Sequence, residues 1–269
     1  MLGVVKIGGA VGNRIEPLMA ELAARAAAGE CWIVVHGASG VMDALCGERG
    51  VEIRMVTSPS GYRSRFVGET ERSLFCEAAA GYGARIADAL AERGAAARRV
   101  DPAELRYVTA KRKDIIRESV NDRTRILRGN YSGTVQSVDG AEILKITDNG
   151  EIPVVPPLAF DAESGLVINI DGDRLAAAVG GEVRADLMVI LSNVRGLMKN
   201  VEDPESLIRT ARLAEWDIVE HCAKGNMKRK TVACREALEA GIPKVFIANG
   251  GAEAPIANAL AGESTCLVR

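Results

Sequence analysis

The chain has 269 residues, 48% hydrophobic and 26% charged, with a net charge of −2, enough apolar material for one large α/β domain or two lobes sharing a sheet. No apolar run reaches the length of a membrane span, and the near-neutral balance gives no field suited to nucleic acid. Six unpaired-looking cysteines and two histidines, His36 and His221, argue against disulfide frameworks, cysteine or histidine metal clusters and a Ser-His-Asp mechanism.

Residues 1 to 10 read as a strand beginning at Leu2 rather than as a secretion signal, so a cytoplasmic protein is expected. Val4-Val5-Lys6-Ile7 is a buried-strand run ending in Gly8-Gly9, and Arg14 to Ala28 has helix-forming composition stopped by Gly29. A second unit follows: Cys31 to Val35, the turn His36-Gly37-Ala38-Ser39-Gly40, then a helix pattern from Val41 to about Glu48. In a parallel α/β sheet both turns fall on one carboxyl edge, where their N–H groups either favour anions or simply allow tight strand–helix packing. Lys6, in an otherwise apolar strand, costs stability unless its ammonium meets a buried anion. The P-loop pattern is absent, so phosphate binding here needs another geometry.

Val56 to Phe66 is a loop carrying Arg63 and Arg65, either a carboxylate clamp or a solvated basic segment. Glu69 to Arg93 reads as one or two alanine-rich helices divided near Gly81 and Gly83. Between residues 105 and 138, short β-like runs flank the turn-like Val120-Asn121-Asp122-Arg123 and predict a projecting hairpin. Its cations Lys111, Arg112, Lys113, Arg117, Arg123, Arg125 and Arg128 face only Asp114, Glu118 and Asp122, a local excess of +4. That is either a solvated face or a surface that steers an acidic macromolecule; with few aromatics to stack bases, nucleic acid is the weaker partner.

After a helix pattern from Ala141 to Asp148, Ile152 to Val155 forms a short strand stopped by Pro156-Pro157. Gly165 to Gly180 then passes from an apolar run through a polar cluster into an alanine-rich helix pattern. Asn169, Asp171 and Asp173 alternate, so extended backbone aims them one way, with Asp173 as the helix cap before Arg174; an ordinary Asp-Gly turn is the alternative. The last third repeats the rhythm: Leu187 to Leu191 ends in Ser192-Asn193-Val194-Arg195-Gly196, Val219 to Ala223 is helical, and Lys244 to Ala248 ends in Asn249-Gly250-Gly251. Between them Lys224-Gly-Asn-Met-Lys-Arg-Lys-Thr231 opens a helix pattern reaching Ala240, a cation-rich junction apt for phosphate or for solvent alone.

Val5-Lys6-Ile7-Gly8-Gly9, Val35 to Gly40, Asn169 to Asp173, Ser192 to Gly196 and Gly225 to Lys230 together resemble the amino-acid kinase family over nearly the whole chain. Thr57 to Arg65, Arg128 to Gly133 and Asp203 to Ile208 are similar to the carrier-protein-dependent branch of its acetylglutamate kinase group. These enzymes phosphorylate the side-chain carboxylate of aminoadipate or glutamate while its amino group is attached to a small acidic carrier protein. The resemblance implies a three-layer αβα sandwich with a mainly parallel sheet in two lobes: residues 1–170 for acyl substrate and dimerisation, with the basic hairpin at about 105–138, and residues 171–269 for ATP. It implies that Lys6 and Lys230 contact the transferring phosphoryl group and that Asp173 orients both. Gly8, Gly9, Gly37, Ala38 and Ser39 would donate N–H groups on the acyl side, with Arg63 and Asn169 holding the rest of the substrate. Ser192, Asn193, Gly196, Met198 and Lys228 would line the nucleotide pocket, with Mg²⁺ held by the phosphates rather than by the protein.

The chemistry agrees, because a carboxylate is already a nucleophile at pH 7 and phosphoryl transfer needs alignment and charge cancellation rather than a base. Asp171 receives no role from the resemblance beyond a turn beside Gly172. One departure is His36-Gly37-Ala38-Ser39 where the family commonly has His-Gly-Gly-Gly: alanine disfavours positive φ, so an altered acyl pocket is expected. Free acetylglutamate kinase and a non-catalytic sensor of the same fold are the rival readings.

Overall fold

Strand β1 (Leu2–Ile7) and helix α1 (Ile15–Ala27), then β2 (Cys31–His36) and α2 (Ser39–Arg49), form the two expected strand–turn–helix units. They are followed by β3 (Met55–Thr57), β4 (Arg63–Arg65), α3 (Glu69–Ala91), β5 (Ala97–Arg99), β6 (Val108–Arg112), β7 (Ile116–Val120), β8 (Arg123–Leu127) and β9 (Ser132–Val138). Next come α4 (Gly140–Asp148), β10 (Ile152–Val155), β11 (Leu158–Asp161), β12 (Leu166–Ile170), α5 (Gly172–Glu182), β13 (Leu187–Ser192) and β14 (Thr210–Arg212). The chain ends with α6 (Trp216–Cys222), α7 (Met227–Glu239), β15 (Lys244–Asn249), α8 (Pro255–Leu260) and β16 (Thr265–Val268). The structure is a computed structural model that describes residues 1–9, 15–59, 61–102, 106–121 and 123–269, with Pro204 described in its backbone only. Arg14, Leu105 and Asp122, which fall in predicted elements, lie outside the described residues.

The main sheet has the order β14-β16-β15-β13-β1-β2-β10-β5, parallel except where β15 meets β16. Its central strands are apolar on both faces, as parallel strands between helical layers must be. Val4 in β1, Ile33 and Val35 in β2, and Met188 and Ile190 in β13 pack with α5 and α7. Val5 and Ile7, Trp32 and Val34, and Val189 and Leu191 pack on the other face with α1, α3 and α8. That alternation gives the three-layer αβα sandwich. Lys6 takes the face of Val4 and His36 the face of Val34, so these two polar side chains leave the sheet in opposite directions. The chain runs from β1 to β2 on one side and places β13 on the other, which opens a crevice at the carboxyl end of β1.

Three expectations shift. Helix α3 runs unbroken through Gly81 and Gly83, because Gly83 is buried where a Cβ would lie 3.1 Å from His36 Nε2; close packing offsets the roughly 1 kcal/mol glycine penalty. The basic region is not one hairpin: β6 and β9 close with β11 and β12 into a small four-stranded sheet, and only β7 and β8, turning at Asn121 with φ 49°, form the separate hairpin. Asp173 does not cap α5. The strand ends at Ile170, Asp171 is the cap, and its Oδ1 accepts from the N–H of Asp173 (2.9 Å) and Arg174 (3.1 Å).

Candidate active site

Lys6 stands at the carboxyl end of β1, Asp173 in the first turn of α5 and Lys230 in the first turn of α7, and the fold brings all three together. Lys6 Nζ lies 2.6 Å from Asp173 Oδ1 as an ion pair, and Lys230 Nζ donates to Asp173 Oδ2 at 3.2 Å. Lys6 and Asp173 are only 7% and 8% exposed. Burial alone raises the Asp173 carboxyl, but the ammonium groups of Lys6 and Lys230 outweigh it and hold it down at about 2. Burial lowers the Lys230 ammonium, opposed by Asp173 and reinforced by Lys6. Two cations on one carboxylate leave this buried cluster with an excess of one positive charge, which a bound anion would compensate. Arg174 braces the helices that carry it, donating from Nε to Glu236 of α7 at 2.9 Å.

The two glycine turns meet beside this cluster. A Cβ on Gly9 would come 2.5 Å from the backbone nitrogens of both Ala38 and Ser39, and one on Gly37 would come 2.7 Å from Gly9 N, so neither position admits a side chain. Gly37 N–H donates to Ile7 O at 2.8 Å, locking the second turn to β1, and Gly40 N–H donates to Gly9 O. Gly8 belongs to the same turn, between β1 and Gly9. The expected strain at the alanine is absent: Ala38 has φ −137° and ψ 9°, which any L-residue adopts. Ser39 opens α2 and is exposed.

Asn169 lies in β12, its N–H donating to Tyr131 O at 3.1 Å. Arg63 and Arg65 do not form a pair of free cations. Arg65 is ion-paired with Asp43, and Arg63 alone is exposed on β4, with its carbonyl accepting from Arg229 of α7. On the opposite side of β1, Ser192 ends β13 buried and its carbonyl accepts from Gly250 N–H at 2.7 Å, while Asn193 is exposed. Gly196 is packed so closely on Thr265 that it admits no side chain, and Met198 bridges to Leu207. Lys228 is exposed on the first turn of α7.

Lys111, Lys113, Arg117, Arg123, Arg125 and Arg128 are exposed. Arg112 is engaged internally: its Nε donates to Asn130 O at 2.8 Å, it pairs with Asp114, and it lies 3.6 Å over the Tyr131 ring. The hairpin register opposes Glu118 to Arg125 and Val120 to Arg123, putting both arginines on one face and Arg117 with Ile126 on the other.

Three side chains here received no role of their own from the sequence. Arg72 of α3 lies 5.6 Å over the Tyr131 ring with its Nε buried and unpartnered among the described residues; Arg229 joins α7 to β4; and His36 is buried behind the Gly37 turn. Arg72 sits in an otherwise ordinary helix pattern that no periodicity marks, and Arg229 lies in the cation-rich junction before α7, where nothing in the sequence points it to β4. His36, one of two histidines and preceding a glycine turn, did carry a signal.

The profile of the amino acid kinase family matches residues 1–249. A protein of Deinococcus radiodurans named "[LysW]-aminoadipate kinase" is 36% identical over 266 residues, covering 97% of this chain and 90% of that one. A Thermus thermophilus protein of the same name is 32% identical, covering 97% and 98%. Among solved structures, the fold is shared with N-acetylglutamate synthase from Neisseria gonorrhoeae (TM-score 0.80, 22% identity, all of this chain and 59% of that one). It is shared also with carbamate kinase from Giardia lamblia (TM-score 0.65, 17% identity, 99% and 98%).

Proposed function

The chain belongs to the amino acid kinase family, and on that premise we propose that it transfers the γ-phosphoryl group of ATP to the side-chain carboxylate of an acidic amino acid borne by a carrier protein. The acceptor is 2-aminoadipate or glutamate, attached through its amino group, and the products are an acyl phosphate and ADP. The observation that carries the reading is Asp173 held between Lys6 and Lys230 at the carboxyl end of β1. The relatives' names support the carrier.

Each group has a part. Lys6 reaches the phosphoryl oxygens from the acyl side and Lys230 from the nucleotide side, while Asp173 keeps the two ammonium groups apart and oriented. The N–H groups of the Gly8-Gly9 turn and of Ala38 and Ser39 surround the acceptor carboxylate, Gly37 serves by its close packing because its own N–H is taken by Ile7 O, and Arg63 and Asn169 hold the remaining polar groups. Ser192, Asn193, Gly196, Met198 and Lys228 line the nucleotide. The acceptor attacks as a carboxylate, so no proton has to be removed, and the residues supply alignment and charge cancellation. Both Asp173 oxygens face lysines, so Mg²⁺ is assigned to the nucleotide phosphates rather than to Asp173.

The same reading assigns residues 1–170 to the acyl lobe and 171–269 to the nucleotide lobe, pairs two copies through the acyl lobe, and gives the exposed basic residues Lys111, Lys113, Arg117, Arg123, Arg125 and Arg128 to the acidic carrier. Arg112, bound internally, is left in a supporting role. We place the protein in the cytoplasm, consistent with six free thiols; among the described residues no helix is long and apolar enough to cross a membrane.

Incubation with ATP, Mg²⁺ and hydroxylamine tests the reading, since an acyl phosphate is trapped as a hydroxamate. Carrier-linked aminoadipate or glutamate is expected to give it. Product from free N-acetylglutamate alone would replace the carrier, and none from any acidic acceptor would remove the kinase.

A further inference from the structure

His36 ends β2, 0% exposed, on the face of the sheet opposite to Lys6, with its ring edge-to-face against Tyr82 at 5.4 Å between centroids. Its Nδ1 lies 3.1 Å from Gly37 O. A carbonyl only accepts, so Nδ1 carries the proton and Nε2 is a lone pair. That lone pair is buried beside Gly83 and has no partner among the described residues. Burial, opposed by the bond to Gly37 and reinforced by Lys6, holds the imidazole down at about 4, so the ring is neutral at pH 7. An unpaired buried nitrogen costs stability that an apolar side chain would not, so the Nδ1 bond needs a use beyond filling space.

The use lies in the peptide it holds. In a trans peptide the carbonyl of one residue and the N–H of the next point in opposite directions. Keeping the Gly37 carbonyl on the His36 side therefore turns the Ala38 N–H the other way, toward Gly9, where the nitrogens of Ala38 and Ser39 are gathered. Neither N–H meets an acceptor among the described residues. We propose that His36 is a positioning residue for the transfer: its imidazole clamps the Gly37 carbonyl and so presets the Ala38 N–H for the acceptor carboxylate, with the Ser39 N–H set beside it by the Ala38 ψ of 9°. Neither donor has to reorient when substrate binds, which is the condition for a preorganised anion site. The inference rests on the kinase reading for the identity of that anion, and on the geometry alone for the clamp.

Nitrogen-15 spectra of the full chain labelled at histidine test the clamp without any activity. Only two rings contribute, and His221→Asn, at an exposed position on α6, identifies the other. The Nδ1–H tautomer is expected for His36 at pH 7; the Nε2–H tautomer overturns the proposal. A pair of variants tests the consequence. The amide nitrogen of His36→Asn sits near the place of Nδ1 and can rescue the bond, whereas His36→Gln reaches the place of Nε2 and cannot. His36→Gln is expected to lower kcat about tenfold or more with the KM for ATP within about twofold, and His36→Asn to stay within about threefold of the unmodified chain. Equal losses in the two variants make His36 a packing residue and overturn the proposal, and if both fail to fold the tautomer decides. Absence of acyl phosphate from the unmodified chain strikes the kinase reading instead, and leaves the tautomer to be read.

Discussion

Asp173 is the residue on which two cations depend. On the proposed reading either lysine is one electrostatic stabiliser of the transferring group, so Lys6→Ala or Lys230→Ala is expected to lower turnover by on the order of 10² or more, with an unchanged far-ultraviolet circular dichroism spectrum. Near-normal hydroxamate formation in either purified variant would sink the assignment. Asp173 also leaves a mark on stability. Its carboxyl is held at about 2 in the folded chain, against about 3.9 when unfolded, so its stabilisation is fully present above about pH 4 and is lost as the pH falls toward 2. Asp173→Asn strands two buried ammonium groups and is expected to cost about 3 kcal/mol at pH 7. That gap should narrow by about 2 kcal/mol between pH 4 and pH 2, read from urea unfolding midpoints. A gap independent of pH would mean the carboxylate is not paired as described.

At the scale of elements, the informative junction is β12 to α5. The residues Asn169, Asp171 and Asp173 alternate in the sequence, but the helix begins at Gly172, so the alternation ends with the strand. Asp171 becomes the cap and, by bonding the Asp173 N–H, sets the turn that aims the Asp173 carboxylate at the lysines. A capping residue and a site residue two positions apart look alike in a sequence because both are acidic and both follow a strand. The β7–β8 hairpin poses the same kind of question with charge. Arg123 and Arg125 share one of its faces, so their fields add toward a partner on that side. Reversing both to glutamate is expected to weaken binding of the acidic carrier about tenfold near 0.02 M salt and less near 0.2 M, by calorimetric titration. Unchanged affinity at both ionic strengths would remove the hairpin from docking.

In the whole molecule, strands from before residue 156 and from after residue 186 lie on opposite sides of one continuous sheet, meeting where β1 pairs with β13. A nucleotide bound beyond β13 should therefore stabilise the entire chain. With ATP and Mg²⁺ at about 100 times the Kd, the gain is about 2.7 kcal/mol, a rise in Tm of a few degrees for a chain of this size. A thermal scan showing no shift would remove the nucleotide pocket.

The alternating α/β rhythm of the first two units and of the last third was readable from local patterns, glycine turns after apolar strands and helix-forming runs after those turns. The layered sandwich came from the family resemblance, and the short strands β5, β11, β14 and β16 and helix α8 carried no reading. Lys6 was readable too, since an ammonium inside an apolar strand contradicts its surroundings. What remained undecided in one dimension was everything set by contacts between distant residues. Gly83 accommodates His36 rather than breaking α3, Arg65 is taken by Asp43, and Arg112 is spent on Asn130 and Tyr131. Local chemistry determines which residues can carry charge or turn the chain; only tertiary packing decides which charges are already neutralised, and so which are left for a ligand.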